Sequence, residues 1–163
     1  VMQNDFLFSD TVKENIRFGR EVSDEALQDA INNAQAEEFI SSLSEEEDYS
    51  LTSQGTNVSG GQRQRILLSR AFAAHPDFLL LDDSSSALDY KTDALLRKAL
   101  SEKYPDTTMV IVAQRVSSIK GCDHILVLDH GTISGEGTDA QLRQNNPLYT
   151  SIADSQMGGA LFD

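Results

Sequence analysis

The sequence predicts an α/β fold, with a mostly parallel sheet, flanking helices and an inserted helical segment. Strand and helix patterns alternate from Phe78 onward, as in βαβ units. The run Phe78–Leu81 is entirely apolar, which is typical of a strand buried on both faces of a parallel sheet. Residues 10–75 instead carry helical, acidic patterns. With 163 residues, the chain can form one core, or a core and a small satellite.

The first half of the chain is expected to be helical. Ser23 is a suitable cap for a helix over residues 24–33. The acidic run 44–48 predicts a solvated loop rather than a site. Ser59 is a suitable cap for a second helix over residues 62–75, which ends because a proline follows.

The second half predicts strands and helices in alternation. The turn Asp129-His130-Gly131 favours a hairpin. The expected elements are strand 78–81, helix 91–103, strand 108–112, short helix 116–119, strand 124–128, strand 132–135 and helices 139–144 and 148–155.

Two short segments carry chemistry. Gly60 and Gly61 follow the expected cap, so an anion can approach the backbone N–H groups at the positive end of the helix. Alone, this pattern is equally typical of a simple capped loop. The acidic pair Asp82-Asp83 favours a phosphate site over a simple capped loop. Asp82 stands at the carboxyl end of a strand, where a carboxylate can hold Mg²⁺. An ordinary acidic turn is the alternative, but Ser-Ser-Ser-Ala-Leu-Asp follows at once as residues 84–89.

The chain resembles the nucleotide-binding domain of ABC transporters, above all the exporter branch. The similarity lies in motif order and spacing, and Val58 replaces the usual Leu of the signature motif. Residues 2–16 are similar to the Q-loop and the stretch after it, 58–62 to the signature, 78–82 to Walker B and 86–89 to the D-loop.

The resemblance implies an incomplete P-loop NTPase-type core with an inserted helical subdomain. Residues 1–9 correspond to the Q-loop remnant of the core. Residues 10–76 correspond to the helical subdomain, which ends in the signature motif and its helix. Residues 77–163 correspond to the carboxy-terminal part of the core, with Walker B, D-loop and switch loop.

The resemblance also implies ATP and Mg²⁺ as cofactors. In this family two domains enclose two ATP molecules, and the signature of one domain faces ATP on the other. Gln3 and Asp82 are the implied metal-binding residues. The implied nucleotide-binding residues are Gln3, Ser59, Gly60, Gly61, Gln62 and Asp89.

The implied partners are a second nucleotide-binding domain and transmembrane domains, which would place the chain at the cytoplasmic face of the cell membrane. Phe6 and Phe8 are candidate contacts to the coupling helices of those domains, or else core residues.

Three departures from the family pattern are informative. The sequence has no Gly-x-x-x-x-Gly-Lys-Ser/Thr loop, so the fragment alone is expected to be inactive. Asp83 stands where the family has a catalytic Glu, and the shorter side chain shifts the carboxylate by about 1 Å. Gln114 stands where the switch loop has His, and an amide carries neither a transferable proton nor a charge. Losing a general base costs about 10²–10⁴-fold in rate, so these catalytic positions predict a degenerate ATP site.

Several alternatives stay open at this point. A heterodimeric exporter, in which this chain gives an intact signature to a competent partner site, competes with a homodimer that has two slow sites. A non-transport ABC ATPase is disfavoured because no sustained heptads separate Gln3 from Ser59. A nucleotide-gated dimerisation module without catalysis is the third alternative.

Composition excludes some functions. The net charge of −13 argues against binding to nucleic acid or to an anionic membrane surface. The single Cys122 excludes an internal disulfide and fits a reducing compartment. His75, His124 and His130 lack the spacing of a metal site. No apolar run approaches the roughly 20 residues of a membrane span, and no signal peptide is visible.

Overall fold

The computed structural model describes residues 1–3 and 5–159. The chain forms two compact units, residues 1–112 and residues 113–163. The predicted division after residues 9 and 76 concerns the family's subdomains and stays a prediction. Within the described residues, no helix combines the length and the apolar character needed to cross a membrane.

Helices dominate the first unit, and polar caps fix where they begin. The hydroxyl oxygen of Ser23 accepts a hydrogen bond from the Ala26 N–H at 3.2 Å, which starts the second helix where the sequence predicted. The acidic run 44–48 is largely exposed and ends in a 3-10 turn. The helices are α1 (Val12–Arg17), α2 (Asp24–Asn33), α3 (Glu37–Ile40), α4 (Gly60–Phe72) and α5 (Tyr90–Lys103), with 3-10 turns at Glu46–Asp48 and Ser53–Gly55.

Helix α4 is central to the core of this unit. Its apolar residues Ile66, Leu67, Leu68 and Phe72 are buried among residues of α1 and α2. The helix begins two residues earlier and ends three residues earlier than the predicted 62–75. Its end has a local cause, because His75 has a positive φ of 43° and precedes a proline, and both disfavour a helix.

A parallel strand pair places the acidic pair at one edge of the sheet. Strand β1 (Phe78–Asp82) pairs in parallel with β2 (Thr108–Val112), and α5 connects them. On the other side of β1, the Val1 nitrogen donates to the Leu80 carbonyl at 2.7 Å, and the Asp82 N–H donates to the Val1 carbonyl at 2.9 Å. This bonding pattern is that of a parallel ladder.

Burial of β1 differs from the prediction. Leu79 and Leu81 are buried, but Phe78 and Leu80 on the opposite face are exposed. The apolar run therefore has one buried face in the described part of the chain, not the two that its composition predicted.

The second unit is built on an antiparallel hairpin. Strands β3 (Ile125–Asp129) and β4 (Thr132–Gly137) are joined through His130 and Gly131, whose φ values are both positive, as a tight two-residue turn requires. The predicted hairpin is thus confirmed, and the parallel arrangement is confirmed for β1 and β2. The helices are α6 (Val116–Ile119), α7 (Asp139–Asn145) and α8 (Pro147–Gly159).

A buried tyrosine joins α7 to α8. The hydroxyl of Tyr149, a residue that is 2% exposed, donates to Asp139 Oδ1 at 2.7 Å, and Arg143 Nε donates to Asp139 Oδ2 at 3.0 Å. Burial and the adjacent Asp139 carboxylate raise the pKa of Tyr149 to about 12. The Tyr149 hydrogen bond in turn lowers the pKa of Asp139.

This network predicts a loss of stability at alkaline pH. Because the folded pKa of Tyr149 lies above the ordinary value near 10, its stabilising effect is complete below pH 10 and is lost as the pH rises toward 12. Tyr149→Phe should lower the free energy of unfolding by about 1 kcal/mol at neutral pH and weaken this alkaline loss. Thermal unfolding followed by circular dichroism from pH 8 to 11.5 checks both effects. An identical pH dependence in the variant would contradict the assignment.

Candidate functional site

The predicted signature segment, residues 59–62, forms a capping box at the start of α4. The Ser59 hydroxyl oxygen accepts from the Gln62 N–H at 3.2 Å, and Gln62 Oε1 accepts from the Ser59 N–H at 2.8 Å. Both side chains therefore fix the backbone. In the described chain, the N–H groups of Gly60 and Gly61 donate to no partner, so they remain available to an anion.

The two glycines have different surroundings. A Cβ at Gly60 would meet nothing within 4 Å, whereas a Cβ at Gly61 would lie 3.0 Å from the Ala87 carbonyl oxygen. The start of α4 therefore lies against the predicted D-loop. Packing within the chain favours a glycine at Gly61 and gives no reason for one at Gly60.

Arg65 contacts the signature segment through a hydrogen bond to Gly61. Its Nε donates to the Gly61 carbonyl at 3.3 Å, its second nitrogen donates to the Gln35 carbonyl at 2.8 Å, and its guanidinium lies 4.6 Å from the centre of the Phe39 ring. Burial lowers the pKa of Arg65, and the nearby Asp89 carboxylate opposes this shift. Sequence reasoning missed Arg65, although its position four residues after Gly61 was a usable signal.

Asp89 caps helix α5. Its carboxylate oxygens accept from the N–H and the hydroxyl of Thr92, each at 2.8 Å, and these bonds lower the pKa of Asp89. The sequence offered a nucleotide-binding role for this residue. The contacts within the chain explain an aspartate here without a ligand, and its binding role stays a proposal.

The parallel ladder brings the predicted metal-binding residues to one edge. Val1 forms hydrogen bonds with Leu80 and Asp82 in the pattern of a strand parallel to β1. Gln3 follows two residues later, near the edge of the sheet where Asp82 ends β1. Residues 1–3 and 5–159 contain no cluster of three or more acidic, His or Cys side chains suited to a metal. Mg²⁺ bound to a nucleotide needs only one or two carboxylates, because phosphates and water complete its shell, so the edge fits this ion.

Asp83 has an unusual backbone conformation. Its φ is 49°, a left-handed value that Asp and Asn tolerate better than most residues. Its N–H donates to the Val112 carbonyl at 2.8 Å, and its carbonyl accepts from the Ser86 hydroxyl at 2.9 Å. The turn after β1 is therefore closely held.

Gln114 lies in the second unit, in the loop before α6. An amide side chain from α8 holds this loop: Gln156 Nε2 donates to the Gln114 carbonyl at 2.7 Å, and Gln156 Oε1 accepts from the Val116 N–H at 2.8 Å. Sequence reasoning missed Gln156, because the contact spans 42 positions and leaves no local pattern.

Phe6, Phe8 and Phe18 form an exposed aromatic surface on the first unit. Their exposed fractions are 54%, 41% and 49%, so Phe6 and Phe8 are not core residues. The Phe6 and Phe8 ring centres lie 5.2 Å apart, and those of Phe8 and Phe18 lie 5.4 Å apart. The Arg70 guanidinium lies 5.3 Å from the Phe8 ring centre and 4.7 Å from that of Phe18. Sequence reasoning missed Phe18 and Arg70.

The sequence profile described as ABC transporter matches residues 1–86, about half of the chain. The chain belongs to the ABC transporter family. It is 41% identical over 157 residues to YknU of Bacillus subtilis, an uncharacterized ABC transporter ATP-binding protein, and 38% identical over 157 residues to the ATP-dependent lipid A-core flippase of Francisella tularensis. A solved structure of a bacterial Atm1-family ABC exporter with ATP bound matches with a TM-score of 0.90 and 31% identity.

These matches span nearly the whole of this chain and about a quarter of each relative. They cover 96%, 95% and 95% of the chain, but 27% of YknU, 26% of the flippase and 28% of the Atm1-family exporter. The structural match confirms the predicted α/β fold of an ABC nucleotide-binding domain.

The two glycines of the signature segment provide a matched pair of substitutions. Gly60→Ala should leave stability unchanged or raise it by up to about 1 kcal/mol, because alanine favours a helix and the site is open. Gly61→Ala should be less stable than Gly60→Ala by about 1 kcal/mol, because its Cβ presses on the Ala87 carbonyl. Chemical denaturation of both variants measures the difference in the free energy of unfolding. Equal stability would contradict the prediction and would mean that the D-loop backbone moves away from the added Cβ at no measurable cost.

Proposed function

We propose that this chain is part of the ATP-hydrolysing subunit of an ABC exporter, which couples ATP-driven dimerisation of nucleotide-binding domains to transport. The observation that carries the proposal is the start of α4. Two N–H groups without partners, the helix dipole and an open glycine at Gly60 together suit a phosphate group. The names of the flippase and of the Atm1-family exporter describe membrane transporters of this kind.

The signature segment is proposed to act on ATP that a second nucleotide-binding domain holds. Ser59 and Gln62 keep the helix start rigid through their capping box, so the N–H groups of Gly60 and Gly61 are oriented before the nucleotide arrives. A side chain at Gly60 would fill the space through which a phosphate approaches.

This chain's own ATP site is proposed to be degenerate. Bound ATP would supply the phosphoryl group, and Mg²⁺, held through Asp82 and Gln3, would neutralise its charge. Asp83 and Gln114 stand at the positions of the catalytic Glu and the switch His, and neither provides an efficient general base there. An intact signature beside impaired catalytic positions favours a non-identical partner subunit over a homodimer.

The aromatic surface is proposed as the contact to transmembrane domains at the cytoplasmic face of the membrane. Phe6, Phe8 and Phe18 present adjacent exposed rings, and the rings of Phe8 and Phe18 lie against Arg70. This surface suits contact with an apolar segment of a partner.

The signature role can be tested at residue 59. Ser59→Arg should lower the ATPase rate of the full transporter at least about 100-fold, because the bulky side chain blocks the phosphate approach and removes the cap. Steady-state ATPase assays measure the rate.

Ser23→Arg is the matched control, since it removes the equivalent cap of α2 away from the site. It should lower stability by about 1 kcal/mol and leave the ATPase rate within about twofold. If Ser59→Arg and Ser23→Arg reduced the rate equally, the effect would be one of folding and the proposed role would be wrong.

The degenerate site can be tested by restoring the family residues. Asp83→Glu combined with Gln114→His should raise turnover at this chain's site about tenfold or more, because a general base returns. The measurement uses a transporter whose partner site is inactivated, so that residual hydrolysis reports this site alone. Adding Asp82→Asn should remove the gain, since the metal-binding carboxylate is lost. No gain in the double variant would contradict the proposed cause of degeneracy.

A further inference from the structure

The side chain of Gln156, on α8, bonds to the backbone on both sides of Arg115. Its Nε2 donates to the Gln114 carbonyl at 2.7 Å, and its Oε1 accepts from the Val116 N–H at 2.8 Å. One amide thus serves as donor and acceptor at the same time. Because the peptide unit is planar, holding the Gln114 carbonyl also fixes the ψ angle of Gln114. This angle helps to set the direction in which the backbone presents the Gln114 side chain.

The Val116 N–H needs a partner from outside its own helix. Val116 is the first residue of α6, and the N–H groups of the first helical turn have no partner within a helix. In the part of the chain that the structure describes, the Arg115 side chain makes no capping bond to α6. A single helical turn such as this one is also unfavourable by itself. The acceptor from α8 therefore stabilises the start of α6 and the end of the loop that carries Gln114.

Helix α8 is a fixed support for this amide. Tyr149, Ala153 and Gln156 follow one another at helical spacing and share one face of α8. Tyr149 and Ala153 are buried in one apolar core with Val116. The hydrogen bond from the Tyr149 hydroxyl to Asp139 also attaches α8 to α7. Gln156 therefore reaches the loop before α6 from a helix that the core of the second unit already holds in place.

We propose that Gln156 is a positioning residue that directs the Gln114 side chain toward the terminal phosphate of ATP at this chain's own site. The inference rests on the proposed function, in which Gln114 stands at the switch position. An amide at residue 114 can donate a hydrogen bond to a phosphate oxygen, although it cannot act as a base. ADP lacks the terminal phosphate. The site should therefore prefer ATP over ADP, and this preference should require both Gln114 and Gln156.

The test measures nucleotide binding in a full transporter whose partner subunit no longer binds nucleotide at its own site. Displacement of a fluorescent ATP analogue gives the Kd of MgATP and of MgADP. Gln156→Met keeps the length and bulk of the side chain but loses both hydrogen bonds. It should lower the ratio of the MgADP Kd to the MgATP Kd about tenfold, because the bond to a charged phosphate is lost. The MgADP Kd itself should stay within about twofold.

A double-mutant cycle shows whether Gln156 acts through residue 114. Gln114→Ala should lower the same ratio about tenfold, and adding Gln156→Met should then change it by less than about twofold. A multiplicative loss would overturn the proposal, because Gln156 would then act by another route. If Gln114→Ala lowers the ratio and Gln156→Met does not, only the positioning role is wrong. If Gln114→Ala leaves the ratio unchanged, the proposed role of residue 114 fails and the positioning role fails with it.

Asn146→Leu is the matched control. Asn146 is another amide of the second unit that joins two backbone groups, since its Nδ2 donates to the Ser134 carbonyl at 3.0 Å and its Oδ1 accepts from the Tyr149 N–H at 2.9 Å. The substitution loses two backbone hydrogen bonds at similar size, but these bonds hold β4 and the start of α8. The ratio should therefore stay within about twofold. Equal losses in Asn146→Leu and Gln156→Met would overturn the proposal, because the effect would be one of folding.

A second variant at residue 156 keeps the test independent of the control. Gln156→Asn retains the amide but is one methylene shorter, so it cannot reach both backbone groups from the same helix position. It should lower the ratio about as much as Gln156→Met and leave the thermal unfolding of the transporter unchanged. A ratio equal to that of the unmodified chain would overturn the proposal.

Discussion

Helix α4 is held at both ends by hydrogen bonds of polar side chains. At its start, the backbone N–H groups of Ser59 and Gln62 are satisfied by each other's side chains. At its end, Arg70 and the buried amide of Asn15 satisfy the backbone of the loop around Phe8. A buried polar group left unpaired costs about 1–3 kcal/mol, so the loop, α1 and α4 keep one arrangement. These hydrogen bonds at the two ends of α4 fix the backbone of the candidate signature and of the aromatic surface.

The features that could be predicted from the sequence are those that depend on residues close to one another in the chain. The cap at Ser59 and the hairpin turn at 129–131 follow from residues within four positions, and both are present. The fold class followed from the alternation of patterns. The contacts of Arg70 span 55 and 64 positions, and that of Gln156 spans 42, so no local periodicity could reveal them. The exposed face of β1 was missed for a related reason, because an apolar run does not say which of its faces the rest of the chain covers.

The backbone conformation of Asp83 gives a second reason for an aspartate at this position. From the sequence, Asp in place of Glu predicts a shorter catalytic reach, and together with Gln114 it predicts a degenerate site. The structure adds a conformational reason, since φ of 49° lies in the left-handed region, where Asp is tolerated better than Glu. The turn that places Asp82 at the sheet edge therefore favours the shorter side chain independently of catalysis. The proposed loss of catalytic reach and the conformation of the turn are compatible explanations for an aspartate at this position.

The signature segment and the catalytic positions are each held by hydrogen bonds to nearby groups. The contacts that hold Ser59, Gln62 and Arg70 involve neither Asp83 nor Gln114. The backbone of Asp83 is held by Val112 and Ser86, and the loop of Gln114 by Gln156 in the second unit. The capping box consists of two hydrogen bonds between Ser59 and Gln62, so we expect it to form whatever residues stand at the catalytic positions. An ordered signature is what the proposed role requires, in which this chain completes an ATP site on another domain.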